Sequence, residues 1–347
     1  MGLWAGLVRA GWRLPVIPAV LPFDHGPLMV SGFLGALIAL ERVVALRRWW
    51  MAGAPLLCGA GWVLTLALPG QLAGPVLITL GSLLAVAILA VIVRREQAIY
   101  TLTMAVGMTA WLAGNLFWIL GTPVYRVVWI WAAFLILTIA GERLELSRIL
   151  RYRPWQIWAF ALAAGVFLAG AVLATQWPAV GAPVSGAGLL ALAAWLLRFD
   201  IARRNLRHPL ALTRFIAVCL FTGYLWLGVS GLLNIFYGPQ FAGLLYDAEL
   251  HTVFVGFVMS MIFGHALIIL PALTRLAVTF RRAFYLPVLL LHASLVLRIA
   301  GDLAAWPTGR EWGGMLNVVA ILGFMGLLIA AVQPGKRQPG RLPVSPP

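Results

Sequence analysis

The sequence predicts an all-α fold, a polytopic transmembrane bundle of about eleven helices, and three observations lead there. Of 347 residues, 63% are hydrophobic and only 10% charged, so the polar surface of a soluble domain cannot be assembled from them. Apolar runs near the ~20 residues that cross a hydrocarbon core recur at 27–46, 51–69, 72–93, 98–121, 124–144, 155–175, 181–198, 213–236, 250–272, 284–303 and 312–332. Basic residues fill alternate gaps between these runs, the pattern that multi-pass insertion imposes.

Threading the runs alternately through a bilayer puts Arg47 and Arg48, Arg94 and Arg95, Arg148 to Arg153, Arg203 to Arg214, Arg275 to Arg282, and Lys336 to Arg341 on one side. The opposite loops hold little beyond Arg126, Arg310, Asp247, Glu249 and Glu311. The net charge of +15 is thereby a topological signal, and nucleic acid is excluded as a partner in favour of the lipid bilayer. The expected location is the bacterial cytoplasmic (inner) membrane, with the first helix running inward and the C-terminus cytoplasmic.

Residues 1–24 contain Arg9, Arg13 and three prolines and lack the uninterrupted apolar stretch of a cleavable signal, so they are expected to form an outer-interface segment with a short helix. Residues 25–333 form one transmembrane helical domain, and the Pro-rich stretch 334–347 is expected to be a disordered cytoplasmic tail. Cys58 and Cys219 lie within apolar runs and read as packing residues. Glu41-Arg42-Val43 and Glu142-Arg143-Leu144 end helices four apart, a weak internal echo, and read as anchors at helix ends; Glu41 alternatively serves a proton path.

Polar groups in hydrocarbon need partners, which directs attention to the five histidines. His208 lies in a basic loop and reads as solvated. His25 opens the first helix and His251 the ninth; both helices enter from the same side, so the two imidazoles share a depth. His265 and His292 form a second depth-matched pair near the other surface, in the ninth and tenth helices. His251 and His265 are separated by about 21 Å of rise and about 40° short of four whole turns, so they share a helix face. Two pairs of facing imidazoles are what two six-coordinate haems require, whereas zinc or copper generally wants further ligands. The alternative is that these histidines bridge helices by hydrogen bonds.

Arg298 lies four residues before Asp302, which is consistent with an intrahelical ion pair or with a guanidinium that binds haem propionates. Most of the sixteen tryptophans, among them Trp49, Trp50, Trp155 and Trp306, fall at helix ends as an aromatic belt. Glycines 32, 35, 256 and 264 lie on the histidine-bearing helices, where they permit close helix packing or room for a flat macrocycle.

The run His25-Gly26-Pro27-Leu28-Met29-Val30, on through Gly35, resembles the second helix of haem-copper oxidase catalytic subunits, whose outer histidine is an axial ligand of the low-spin haem. His251, with Pro271 at the far end of its helix, looks like the tenth helix of that fold. The resemblance implies an oxidase subunit I-like bundle whose first helix is missing, with Arg298 near the haem propionates. Two departures stand out. Their tenth helix carries His-x-His where this chain has His251-Thr252-Val253, and the runs 124–144 and 155–175, which correspond to the helices of the copper ligands, contain no histidine. What remains is similar to the NnrS-like membrane proteins, through His25-Gly26-Pro27-Leu28-Met29 and through Phe257-Val258-Met259-Ser260-Met261-Ile262-Phe263-Gly264-His265.

The expected function is therefore a haem b protein of the membrane, with His25 and His251 as axial ligands of an outer haem, His265 with His292 as candidate ligands of a second, and Arg298 on the propionates. It would transfer electrons across the membrane or from quinol, in nitrogen-oxide or respiratory metabolism, as a redox protein and not a complete oxidase. Quinol, a c-type cytochrome and the subunits of a respiratory complex are the expected partners, and copper is left open. The alternatives are a membrane transporter or metal-handling permease, in which the histidines line a substrate path, and a non-catalytic subunit of a respiratory complex.

Overall fold

A computed structural model describes residues 1–15, 23–46 and 48–337. Helix α1 spans Gly2–Ala10. Helix α2 begins with the π-helical stretch Pro27–Leu34 and continues as Gly35–Leu46. Ten helices among the described residues are long and apolar enough to cross a membrane: α3 Trp49–Ala67, α4 Ala73–Arg95, α5 Ile99–Ile119, α6 Val124–Leu150, α7 Pro154–Leu173, α8 Pro178–Phe199, α9 Ala211–Tyr237, α10 Gly243–Thr274, α11 Arg282–Leu303 and α12 Pro307–Ala330. They coincide with the second to eleventh expected runs, and the protein is a multi-pass, all-α membrane protein.

Two helices, α10 and α12, start well before their apolar runs, at Gly243 and Pro307 against positions 250 and 312. α10 begins at Gly243, whose φ of 84° closes the preceding loop, and α12 begins at Pro307, which supplies a preset φ and lacks the N–H that a first turn would leave unpaired. Asp247, Glu249 and Arg310 interrupt the apolar pattern of these first turns without interrupting the helix. α7 and α8 likewise start at prolines.

Leu56, Leu162, Leu289 and Ile329 are between 67% and 70% exposed on their helices, a surface suited to lipid and untenable in water. α6 is the central helix: 83% of its apolar window is buried, against 28% to 61% for the others. Consecutive helices pack as hairpins, α3 on α4, α5 on α6, α7 on α8 and α11 on α12. Small residues bring backbones together, and a Cβ on Gly188 of α8 would fall within 2.7 Å of Phe167 Cβ on α7. Trp49, Trp155 and Trp306 are exposed at helix ends as expected of a belt, whereas Trp111 and Trp131 are fully buried. Each of these two indoles finds an acceptor, Trp111 Nε1 donating to Ser31 Oγ at 2.7 Å and Trp131 Nε1 to Asn115 Oδ1 at 3.0 Å.

One end of the bundle is tied by charge. The two Glu-Arg dipeptides are more than separate anchors: Arg42 of α2 pairs with Glu142 of α6, and Arg143 holds Asp200 in a two-pronged contact, Nε at 3.1 Å and Nη2 at 3.0 Å. Asp200 also accepts Ser147 Oγ and the Ala202 N–H, so this buried carboxylate is fully satisfied. The same end carries Arg148 on Glu96. Strands β1 (Leu276–Val278) and β2 (Val332–Arg337) pair antiparallel after α10 and α12, so the first residues of the stretch expected to be a disordered tail are in a strand. Positions 338–347 of that expected tail, and 16–22 of the expected interface segment, lie outside the described residues.

Removing one partner of the Arg143–Asp200 pair leaves an uncompensated buried charge, with side-chain exposures of only 5% and 0%. Asp200→Ala should therefore cost about 3–5 kcal/mol, read as a lower aggregation temperature in detergent, while Arg148→Ala at the exposed pair with Glu96 should change it little.

Candidate functional site

At the other end of the bundle, α1, α2, α6, α10, α11 and α12 line a cavity of about 490 Å³, within the range usual for small-molecule and cofactor sites. His25 and His251 both line it. Their ring centres are 6.5 Å apart and their planes differ by 16°. The expected pairing of these two histidines is thus present, brought about by α2 and α10 from opposite ends of the chain.

Each ring is fixed from behind. His25 Nδ1 lies 2.8 Å from the Gly2 carbonyl and His251 Nδ1 lies 2.8 Å from the Asp247 carbonyl. A carbonyl only accepts, so each Nδ1 carries the proton and each Nε2 presents a lone pair. Among the described residues neither Nε2 has a hydrogen-bond partner. A π-helical stretch follows each histidine closely, Pro27–Leu34 in α2 and Thr252–Val258 in α10. Such wide turns recur at functional sites because they re-aim neighbouring side chains.

α1 is part of this wall. Its Gly6 packs so closely on the imidazole that a Cβ there would lie 2.9 Å from His25 Cε1, and Leu3, Gly6, Leu7 and Arg9 all line the cavity. Trp12 Nε1 donates to the Glu311 carbonyl at 3.0 Å and its ring meets Trp312 edge-on, which pins the segment to α12. The segment expected to lie at the interface is therefore packed into the fold through α1.

Arg298 lines the same cavity, but its carboxylate partner is not Asp302. Its Nε and Nη2 grip Asp247 of α10 at 2.7 and 2.8 Å. The intrahelical pairing is replaced because an Arg placed N-terminal to an Asp is the weaker order against the helix dipole, while Asp247 offers a planar fork across the helix interface. Asp247 in turn sits beside His251, with Oδ1 3.3 Å from Nδ1. Arg9 and Arg310 also border the cavity, so three arginines and the carboxylate of Asp247 share one end of it.

The second expected pair does not show the same arrangement. No ring contact joins His265 and His292 among the described residues. His265 Nδ1 is 2.7 Å from the Met261 carbonyl, one turn back on its own helix, and His292 Nδ1 accepts the Trp226 indole N–H at 3.0 Å. An acceptor Nδ1 puts the proton on Nε2, which removes the lone pair a metal would need; His292 Nε2 is buried without a hydrogen-bond partner. Matching depth did not bring these two rings into stacking contact, and His292 Nδ1 is taken by the Trp226 indole of α9. Among the described residues no three His, Cys, Asp or Glu side chains gather closely enough to hold a metal.

The glycines serve helix and indole packing. Indoles fill the space over three of them, Trp62 at Gly32, Trp111 at Gly35 and Trp226 at Gly256, and Cys219 lies against Gly264. None of the four borders the cavity. The residues missed by sequence reasoning are Gly2, Gly6, Arg9, Asp247 and Arg310. Asp247 carried a usable signal, four residues before His251 on a helix; the α1 residues carried none.

The architecture and this site define a class: a multi-pass helical membrane protein with two near-parallel imidazoles on the wall of a partly open, arginine-edged cavity. Residues 1–333 match the family described as "Domain of unknown function (DUF8744)", and the chain belongs to that family. No curated protein matches the chain, and no solved structure does.

Since the fork from Arg298 fixes Asp247, and Asp247 fixes His251, Arg298→Lys should loosen this end even though the charge is kept. The expected loss is about 1.5–3 kcal/mol of stability, read as an earlier thermal transition in detergent, and restoration by added ligand would locate the change at the cavity.

Proposed function

We propose that this chain is a haem b-binding electron-transfer protein of the bacterial cytoplasmic membrane, with His25 and His251 as the two axial ligands of one iron. The observation that carries the reading is the pair of parallel imidazoles with centres 6.5 Å apart on the cavity wall. A metal held between two imidazole nitrogens at about 2 Å each separates the ring centres by roughly 6 to 6.5 Å. A single two-coordinate copper ion would suit that spacing equally, but it would leave the 490 Å³ of space and the arginines without a role.

The haem, when bound, supplies the one-electron chemistry of its iron. The chain's residues do the rest. The carbonyls of Gly2 and Asp247 hold the Nδ1 protons and keep the lone pair of each Nε2 available, and such hydrogen bonds raise the basicity of a ligating imidazole. The guanidinium N–H groups that Arg298 and Arg310 do not already give to Asp247 and to the Arg9 carbonyl would hold the two propionates, with Arg9 nearby. Val30, Leu34, Val128 and Phe254 make the deeper wall apolar and exclude water from the ring face.

One haem is the number this arrangement favours, since the hydrogen bond from Trp226 commits His292 elsewhere. The likeness of His25-Gly26-Pro27 to the outer haem helix of oxidase catalytic subunits, and of the chain to NnrS-like proteins, supports the same choice of ligands and a role in respiratory or nitrogen-oxide metabolism. Basic loops at the end bearing Arg148 and Arg203 favour a cytoplasmic position for that end and for the C-terminus. The electron donor is then a quinol or a c-type cytochrome, with respiratory-complex subunits as further partners.

Reduced-minus-oxidised absorption spectra of the detergent-purified protein test the reading. Haem b bands at about one haem per chain are expected. They should be lost in His25→Ala and His251→Ala and kept in His292→Ala. A colourless protein that takes up copper or another metal would instead favour a metal-handling permease, and a colourless, metal-free protein would remove the redox role. Gly6→Val should push His25 off the iron and convert a low-spin spectrum to a high-spin one; unchanged bands would show that α1 does not position the ligand.

A further inference from the structure

Asp302, in the last turn of α11, has a side chain with 0% exposure, and neither of its oxygens receives a hydrogen bond among the described residues. An aspartate so placed is an anomaly. An ionised carboxylate removed from water is tolerated when it is paired and hydrogen-bonded, as Asp200 and Asp247 are. The charged groups that face Asp302 are Arg298 on its own helix, Asp247 on α10 and Arg310 on α12, beyond which lies Arg9 of α1. Arg298 spends its fork on Asp247. Arg310 directs Nη2 to the Arg9 carbonyl at 2.6 Å and holds its Nε 3.8 Å from Asp302 Oδ1, too far for a hydrogen bond. Two guanidinium groups thus face two carboxyl groups: Asp247 accepts two hydrogen bonds from Arg298, whereas Asp302 has only the long ion pair with Arg310 and the neighbouring carboxyl of Asp247.

Arg298, Arg310 and Asp247 border the cavity, so any change of charge inside it is felt at Asp302 through a medium of low dielectric constant. Propionates on these arginines would add negative charge to a set that is already balanced. The carboxyl with no hydrogen bonds to hold it ionised is the one that yields. We propose that Asp302 is a proton-binding site linked to the redox state of the cavity: for each electron delivered by a one-electron donor, one proton from the adjacent aqueous side binds an Asp302 carboxylate oxygen, and on oxidation both leave. The net charge of this enclosed end is then the same before and after. The inference rests on the cofactor reading above.

The experiment is a redox titration of the purified haem-loaded protein at a series of pH values, wild type against Asp302→Asn. One proton per electron shifts the equilibrium tenfold per pH unit, which is about 59 mV. The wild type is expected to approach that slope over part of the neutral range and Asp302→Asn to lose it while keeping its haem bands, since asparagine copies the shape of a protonated aspartate. Asp302→Glu, which retains a carboxyl, should restore a slope and serves if the asparagine variant does not fold. Redox-difference infrared spectra give a second readout, a protonated-carboxyl band that appears on reduction in wild type and is missing in Asp302→Asn. A pH-independent potential, or a slope and band unchanged in Asp302→Asn, overturns this inference alone and leaves the haem in place. A protein without haem bands overturns the inference together with the cofactor reading.

Discussion

A polar group inside a bilayer must find its partner within the protein, and the fork between Arg298 and Asp247 is where that constraint organises the most. It joins α11 to α10 through two short hydrogen bonds, and the same aspartate offers its carbonyl to His251 Nδ1. The orientation of one imidazole is therefore set by the preceding turn of its own helix, and the fork ties that turn to α11. The other imidazole depends on a different device, the carbonyl of Gly2, brought over the cavity by a helix that does not cross the membrane. Both rings are held from behind and left open in front.

The two ends of the bundle solve the same electrostatic problem to different purposes. At one end, Arg143 and Asp200 are completely satisfied by each other, by Ser147 and by a backbone N–H, which makes a rigid and inert joint. At the other, arginines border a cavity, and one buried aspartate, among the described residues, has only a long ion pair with Arg310 and the carboxyl of Asp247 beside it. Unspent polar capacity in an enclosed space costs stability, and proteins accept that cost where a ligand or a proton completes the set. The contrast within one chain is what marks the cavity end as the candidate site.

The depth argument for histidines worked for one pair and not for the other, and the reason is lateral. Depth follows from position along a helix, whereas contact also requires two helices to be neighbours with nothing between the rings. His25 and His251 meet because α2 and α10 converge on the cavity; His292 meets the indole of Trp226 instead. The glycines show the same limit. Their small size was visible, but whether an indole or a cofactor filled the space above them depended on which helix packed there.

The amino-acid sequence by itself determined the multi-pass helical class, the spans from α3 to α12, and the shared depth of His25 and His251. These follow from hydrophobic length, charge and rise per residue, all of which are local quantities. Only the tertiary structure decided that Arg298 grips Asp247 and not Asp302, that α1 closes over His25, and that His292 meets the Trp226 indole. Those outcomes depend on the rotation of each helix about its axis and on the choice of neighbours. That choice is made by packing among side chains far apart in the chain, and no periodicity within a single span encodes it.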